Sequence, residues 1–198
     1  MLKRIFDIIA SFVGLLLFSP VFIWLIFSIK RQDPGPVFYR APRVGRGKGT
    51  FHIFKFRSMV MNADKIGGPT TSSDDPRVTK IGRTIRRYKL DELAQLINVF
   101  LGQMSLVGPR PEIPSEVETY PKECDIIFSV RPGITDYSSI EFRDEGGIIE
   151  SSGIQDPHEA YRQLIQPRKL ELQKQYVKDS SFWLDIKLIF QTIIVIFK

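Results

Sequence analysis
Arg83-Thr84-Ile85-Arg86-Arg87-Tyr88-Lys89-Leu90-Asp91-Glu92-Leu93-Ala94-Gln95-Leu96-Ile97-Asn98-Val99-Phe100-Leu101-Gly102 is a basic run that leads into two adjacent carboxylates and then an apolar-periodic segment. Leu90, Leu93, Leu96, Ile97, Phe100 and Leu101 recur at helical spacing, and Gly102 is placed to stop the helix. Asp91 then falls in the first turn, where unpaired amides and the helix dipole favour a charged carboxylate. On that reading alone the pair is structural. Its company points to chemistry, because basic side chains precede it and Gly108-Pro109-Arg110-Pro111-Glu112 follows as a rigid turn. Carboxylates among arginines suit a site that handles phosphate and a divalent metal.

Outward from this centre, the bounds are those of one domain. The chain has 198 residues, 43% hydrophobic and 25% charged, enough to bury a core. One cysteine, Cys124, excludes an internal disulfide, and two histidines argue against a histidine-rich zinc site. A net charge of +6 calls for an anionic partner. Nucleic acid is not expected, since neither base-reading aromatics nor a binding motif accompanies the charge.

From Ile5 to Ile29 the chain is almost wholly apolar and long enough to cross a bilayer. Phe22, Trp24 and Phe27, with no small-residue cleavage site, argue against a signal peptide. Lys3 and Arg4 flank one end and Lys30 and Arg31 the other, so charge gives neither end a reason to translocate. Ser19-Pro20 lies near the middle, where proline removes an amide. A helix that enters, bends at Ser19-Pro20 and returns satisfies both facts; a kinked straight span is the alternative.

Val37–Arg40 and Phe51–Arg57 read as a hairpin joined by the Gly45–Gly49 loop, whose spacing fails the phosphate-loop pattern. Lys55 and Arg57 alternate onto one side of a strand, facing either a diphosphate or solvent. Asn62–Asp75 reads as a mobile loop, and Arg77, Lys80, Arg83, Arg86 and Arg87 follow as a basic amphipathic helix for an anionic surface. Arg131-Pro132-Gly133 is a second proline-stiffened basic turn. In both turns Pro109, Pro111 and Pro132 fix the backbone, and an arginine can grip two phosphate oxygens at once. Ile140–Gly147 reads as a polar loop from which Arg143 either reaches phosphate or pairs with Asp144 or Glu145. Asp156-Pro157 reads as a helix cap, with Ala160, Tyr161, Leu164 and Ile165 as the buried stripe and Pro167 opening a further helix. Phe182–Phe197 is apolar but interrupted by Asp185, Lys187 and Gln191, which suits an interfacial helix better than a span.

Leu90-Asp91-Glu92-Leu93, Asn98-Val99, Met104–Glu112, Gly35-Pro36-Val37, Arg43-Val44-Gly45, Lys55–Met59 and Arg131–Thr135 together resemble the bacterial sugar transferases, the monotopic phosphoglycosyl transferases. The resemblance covers nearly the whole chain. It implies an α+β, predominantly helical fold: a re-entrant membrane helix over residues 1–31, shaped by Ser19-Pro20, then a cytoplasmic catalytic domain over 32–198 with interfacial amphipathic helices. It implies transfer of a sugar-1-phosphate from a nucleotide sugar to polyprenyl phosphate at the inner membrane, with Mg²⁺ beside Asp91 and Glu92. Asp91 is the implied nucleophile, and Glu92 is left between metal ligand and proton acceptor. Candidate phosphate-binding residues are Lys55, Arg57, Arg86, Arg87, Arg110, Arg131 and Arg143. The expected partners are nucleotide sugar, polyprenyl phosphate and membrane lipids, with a homodimer left open. One departure stands out: where many relatives resemble Asp-x-x-Tyr, this chain has Gln173 ahead of Tyr176, which removes any acidic role there. Two other classes compete. A membrane nucleotidyl or phosphatidyl transferase would share the metal and phosphate needs without a covalent enzyme, but its CDP-alcohol branch would need a multi-aspartate signature that is missing. A non-catalytic membrane adaptor would not need two rigid arginine turns flanking a carboxylate pair.

Overall fold
The computed structural model describes residues 1–67 and 75–196. The apolar N-terminal segment forms α1 (Leu2–Leu17) and α2 (Ser19–Gln32), which are bent by 59° about Phe18. The bend falls where the sequence places it and for the expected reason. Pro20, in the first turn of α2, has no amide to give, and Ser19 Oγ donates to the Leu16 carbonyl at 2.7 Å. Among the described residues no single helix is long and apolar enough to cross a membrane, whereas the bent pair meets that test together. The faces of α1 are inverted relative to a helix in water. Ile5, Ile9, Phe12, Val13, Leu16 and Leu17 are exposed, while Asp7 and Ser11 are buried.

After α2 the chain forms β1 (Phe38–Val44), a 3-10 turn at Arg46–Lys48, and β2 (Thr50–Phe56), paired antiparallel from Phe38 opposite Phe56 to Val44 opposite Thr50. Pro42 is tolerated inside β1 because each strand of this two-stranded sheet keeps a free edge. Next come α3 (Ala63–Ile66), α4 (Lys80–Arg87), a 3-10 turn at Leu90–Ala94, α5 (Gln95–Phe100), β3 (Ser105–Val107) and α6 (Pro114–Val117). A 3-10 segment at Lys122–Ser129 leads to β4 (Gly133–Thr135), parallel to β3 with Ser105 opposite Gly133. Helices complete the chain: α7 (Tyr137–Glu141), α8 (Glu145–Ser151), α9 (Pro157–Leu164), α10 (Gln166–Asp179) and α11 (Phe182–Ile196). The class is α+β and mainly helical.

Two apolar clusters position the centre. Leu25 and Ile29 of α2 pack with Phe56, Ile85 and Ala94, joining the bent helix to β2, α4 and the 3-10 turn. Ala41, Phe51 and Ile53 pack on Val99 and Met104, seating the hairpin on α5. Each of the larger side chains among them, taken fully out of water, contributes roughly 1.5–3 kcal/mol. Gly108 and Gly133 lock the two proline turns together, because a Cβ on either would strike the other's main chain.

Several sequence expectations are corrected. The predicted helix at Asp91 starts as a 3-10 turn, entered through Lys89 in the left-handed region at φ 53°, and Asp91 caps nothing. The stripe through Phe100 and Leu101 is also displaced: both are exposed beside α1, and the buried face carries Gln95 and Asn98 instead. Asn98 is buried because it completes the edge of β2, accepting from the Phe54 amide at 2.8 Å and donating to the His52 carbonyl at 2.8 Å. The basic helix begins at Lys80, not Arg77, because Thr79 caps it by accepting from the Gly82 amide. Ile140–Gly147 is mostly helical, since Asp136 and Asp144 cap α7 and α8. Leu164, the last residue of α9, is exposed, while Ala160, Tyr161 and Ile165 are buried. The expected mobile loop at Asn62–Asp75 holds α3, and its residues 68–74 lie outside those described.

Candidate active site
The left-handed Lys89 turns the chain out of α4 so that the next residues run along β2. There Lys55 Nζ stands 3.6 Å from Asp91 Oδ2 and 3.4 Å from Glu92 Oε1. Arg110, carried on the Gly108–Pro111 turn, grips Glu92 with both guanidinium nitrogens, Nη2 to Oε1 at 2.5 Å and Nη1 to Oε2 at 3.2 Å. Four charged groups from β2, the 3-10 turn and the proline turn thus converge, each largely but not wholly buried.

The two adjacent carboxylates are shifted in opposite directions. Burial pushes Glu92 up, but the charges of Arg110 and Lys55 outweigh it and hold Glu92 far below the usual carboxylate range. Burial also raises Asp91, and here Lys55, opposed by the neighbouring Glu92, does not reverse it. Glu92 is therefore a fixed negative charge with both oxygens occupied. Among the described residues Asp91 makes a single ion-pair contact, 3.6 Å to Lys55, and is poorly solvated, so its oxygens are the less engaged of the two pairs. Neighbouring carboxylates whose environments push them apart mark a division of chemical roles. Arg110 itself is held charged, first by Glu92.

The other sequence-predicted residues scatter. Arg86 on α4 donates through Nε to Ser58 Oγ at 3.1 Å, and its charge acts on Asp91. Arg87 is exposed and stacks over Tyr88 at 5.7 Å. Arg57 follows the end of β2 and turns to Asp33, 3.4 Å from Oδ1 and 2.9 Å from its carbonyl, so the shared strand face predicted with Lys55 is lost. Arg143 is exposed, and its carbonyl accepts from Lys89 Nζ at 3.2 Å. Arg131 donates through Nε to the Gly102 carbonyl at 2.9 Å and lines a different pocket from the Asp91 cluster. Pro109, Pro111 and Pro132 hold trans turns, since no peptide bond among the described residues is cis.

Behind Arg110 lies a support that sequence reasoning missed. Lys169 of α10 is 3% exposed and bridges Glu112 at 2.8 Å and Glu145 at 3.0 Å. Burial raises Glu112, yet Lys169 outweighs it and holds that carboxyl below its ordinary value. Gln173, one turn on, is buried and donates through Nε2 to the Arg110 carbonyl at 3.3 Å. An aspartate could not donate that bond, so the departure at Gln173 serves the backbone of the arginine turn.

Comparison with known proteins covers the whole of this chain. The family description "Bacterial sugar transferase" matches residues 1–198. The chain is 35% identical over 195 residues to the UDP-N-acetylgalactosamine-undecaprenyl-phosphate N-acetylgalactosaminephosphotransferase of Aeromonas hydrophila, covering 97% of this chain and 43% of that one. It is 37% identical over 198 residues to the UDP-glucose:undecaprenyl-phosphate glucose-1-phosphate transferase of Escherichia coli K12, covering 98% and 39%. The exopolysaccharide production protein ExoY of Rhizobium meliloti is 34% identical over 208 residues, with 98% of this chain and 84% of the relative covered. The chain thus spans about two fifths of the first two relatives and most of the third. With that family matched over residues 1–198, the chain belongs to the bacterial sugar transferase family.

Proposed function
We propose that this chain transfers a sugar-1-phosphate from a nucleotide sugar, a UDP-sugar by analogy with its relatives, to undecaprenyl phosphate, giving the polyprenyl-diphosphate sugar and UMP. The carrying observation is the Lys55–Asp91–Glu92–Arg110 cluster, in which one carboxylate is clamped and its neighbour is left open. An Asp91 oxygen attacks the sugar-bearing phosphorus, and the bond from that phosphorus to the UMP oxygen breaks. The resulting acyl phosphate then yields to an oxygen of polyprenyl phosphate, restoring the carboxylate. Splitting the transfer lets a water-soluble donor and a membrane-bound acceptor react in turn. Lys55 and Arg110 hold the donor's phosphate oxygens, with Arg86 adding charge from α4.

Among the described residues no group of three or more His, Cys, Asp or Glu gathers as a metal cage. Mg²⁺ fits the pair nonetheless, because it commonly takes one or two carboxylates and fills its shell with water and substrate phosphate. Asp91, with Glu92 beside it, would hold the ion, which neutralises donor phosphate and the departing nucleotide.

The membrane reading rests on the inverted faces of α1 and the 59° bend. With cations at both ends of the α1–α2 pair, re-entry from one face is the arrangement charge favours. It sets the Asp91 cluster at the surface where a lipid phosphate arrives. The test is a panel of nucleotide sugars with undecaprenyl phosphate, reading released nucleotide. Over many turnovers one UDP-sugar should release UMP in stoichiometry with lipid-linked product. Turnover with no UDP-sugar would reject the reading.

A further inference from the structure
Arg131 and the N-terminal end of α1 line a pocket of about 430 Å³ that shares no residue with the Asp91 cluster. Its charge is unbalanced. Lys3, Arg4, Arg46 and Arg131 line it together with Asp7 and Asp185, and both carboxylates are already spoken for. Asp7 accepts from the Ser105 hydroxyl at 2.9 Å and the Leu106 amide at 3.0 Å. Asp185 is met by Lys3 Nζ at 2.5 Å and the Tyr176 hydroxyl at 2.7 Å. Arg4 spends its guanidinium on the carbonyls of Val99 and Phe100. Arg131 uses only Nε, on the Gly102 carbonyl, and Arg46 is exposed on the hairpin turn. Among the described residues, then, two guanidinium forks face one concavity without a carboxylate partner. A guanidinium fork matches the oxygens of a phosphate.

The surroundings say which phosphate. Phe182, at the start of α11, lines the pocket and packs edge-on against Phe6 of α1 at 5.4 Å. Beside them Leu2 is 62% and Trp183 79% exposed, so the rim of a cationic pocket carries apolar and aromatic side chains open to the outside. Arginine within and tryptophan at the rim is the pattern of a membrane interface.

We propose that this pocket holds the phosphate headgroup of an anionic phospholipid that takes no part in the reaction, fastening the foot of α1 to α11. The inference rests on the membrane reading of α1 given above, but not on the covalent chemistry at Asp91. Native mass spectrometry of the full chain in detergent, titrated separately with phosphatidylglycerol, phosphatidylcholine and inorganic phosphate, tests it. Wild type should retain one phosphatidylglycerol in preference to phosphatidylcholine. Arg46→Gln and Arg131→Gln should each weaken that retention by about fivefold, the loss expected for one basic residue at an anionic surface. Arg46 is exposed, so its variant folds whatever becomes of Arg131. Equal retention of the two lipids, or a wild-type affinity in both variants, would overturn the proposal. Inorganic phosphate displacing phosphatidylglycerol at equal concentration would overturn the lipid source, since the pocket would then read a free anion. UMP release by Arg46→Gln is followed in parallel and should match wild type. Failure of wild type to release UMP would reject the proposed reaction while leaving the lipid result readable.

Discussion
At the scale of residues, Arg110 does to Glu92 what it would do to a phosphate, gripping two oxygens with two nitrogens. Arg110→Lys keeps the charge and loses the fork, so turnover should fall on the order of 10²-fold, as for loss of one preorganised donor. The check is steady-state UMP release by the purified variant; wild-type turnover would mean that general electrostatics suffices. That Arg110 rides a proline turn and Lys55 a strand was legible in the sequence. Arg57 was not, because the strand ends at Phe56 and alternation ends with it. Lys169 was invisible for another reason. Its partner Glu112 is 57 positions away, and no spacing rule links a helix lysine to a distant turn.

At the scale of elements, β3, β4 and α10 act together to hold the arginine turn. Gly108 and Gly133 bring the two strands' turns into contact, and Lys169 with Gln173 supports them from α10. Removing the Glu112 charge leaves Lys169 only its bridge to Glu145, so Glu112→Gln should cost roughly 2 kcal/mol at neutral pH, less than a fully unpaired buried charge. The pH dependence follows from the lowered value of Glu112. Its ionised form is favoured by folding, so its contribution is present above its unfolded value near 4.5 and lost as pH falls through its lower folded value. The stability gap between wild type and Glu112→Gln should therefore narrow below about pH 4.5, read from thermal unfolding of the two proteins across pH. A gap that is constant with pH would assign the loss to packing. The bend between α1 and α2, the hairpin and the Asp156-Pro157 cap were all legible, because each depends on residues within a few positions. The 3-10 entry to Asp91 was not. It hangs on Lys89 adopting φ 53°, a backbone state that no periodicity reports.

At the scale of the whole molecule, the polar side of α1 is turned inward and fastened to β3 through Asp7, while α2 joins β2 and α4 through Leu25 and Ile29. The domain thus hangs from both arms of the bent pair. Single cysteines near Lys3 and Arg31, on a Cys124→Ala background, should both be labelled from the cytoplasmic side of intact cells' membranes. Labelling from opposite faces would establish a span. The central claim concerns the open carboxylate: Asp91 should carry the phosphosugar between the two half-reactions. Asp91→Asn should abolish adduct and turnover and leave a folded protein, since the amide is nearly isosteric and Asp91 caps no helix. The most direct measurement is intact-protein mass spectrometry of the full chain after brief exposure to UDP-sugar and Mg²⁺ without lipid acceptor, with peptide mapping of any added mass. One sugar-phosphate is expected on Asp91, formed with release of one UMP and discharged by undecaprenyl phosphate. An active enzyme that gathers no adduct under rapid quench, and frees no nucleotide until both substrates are bound, would contradict it.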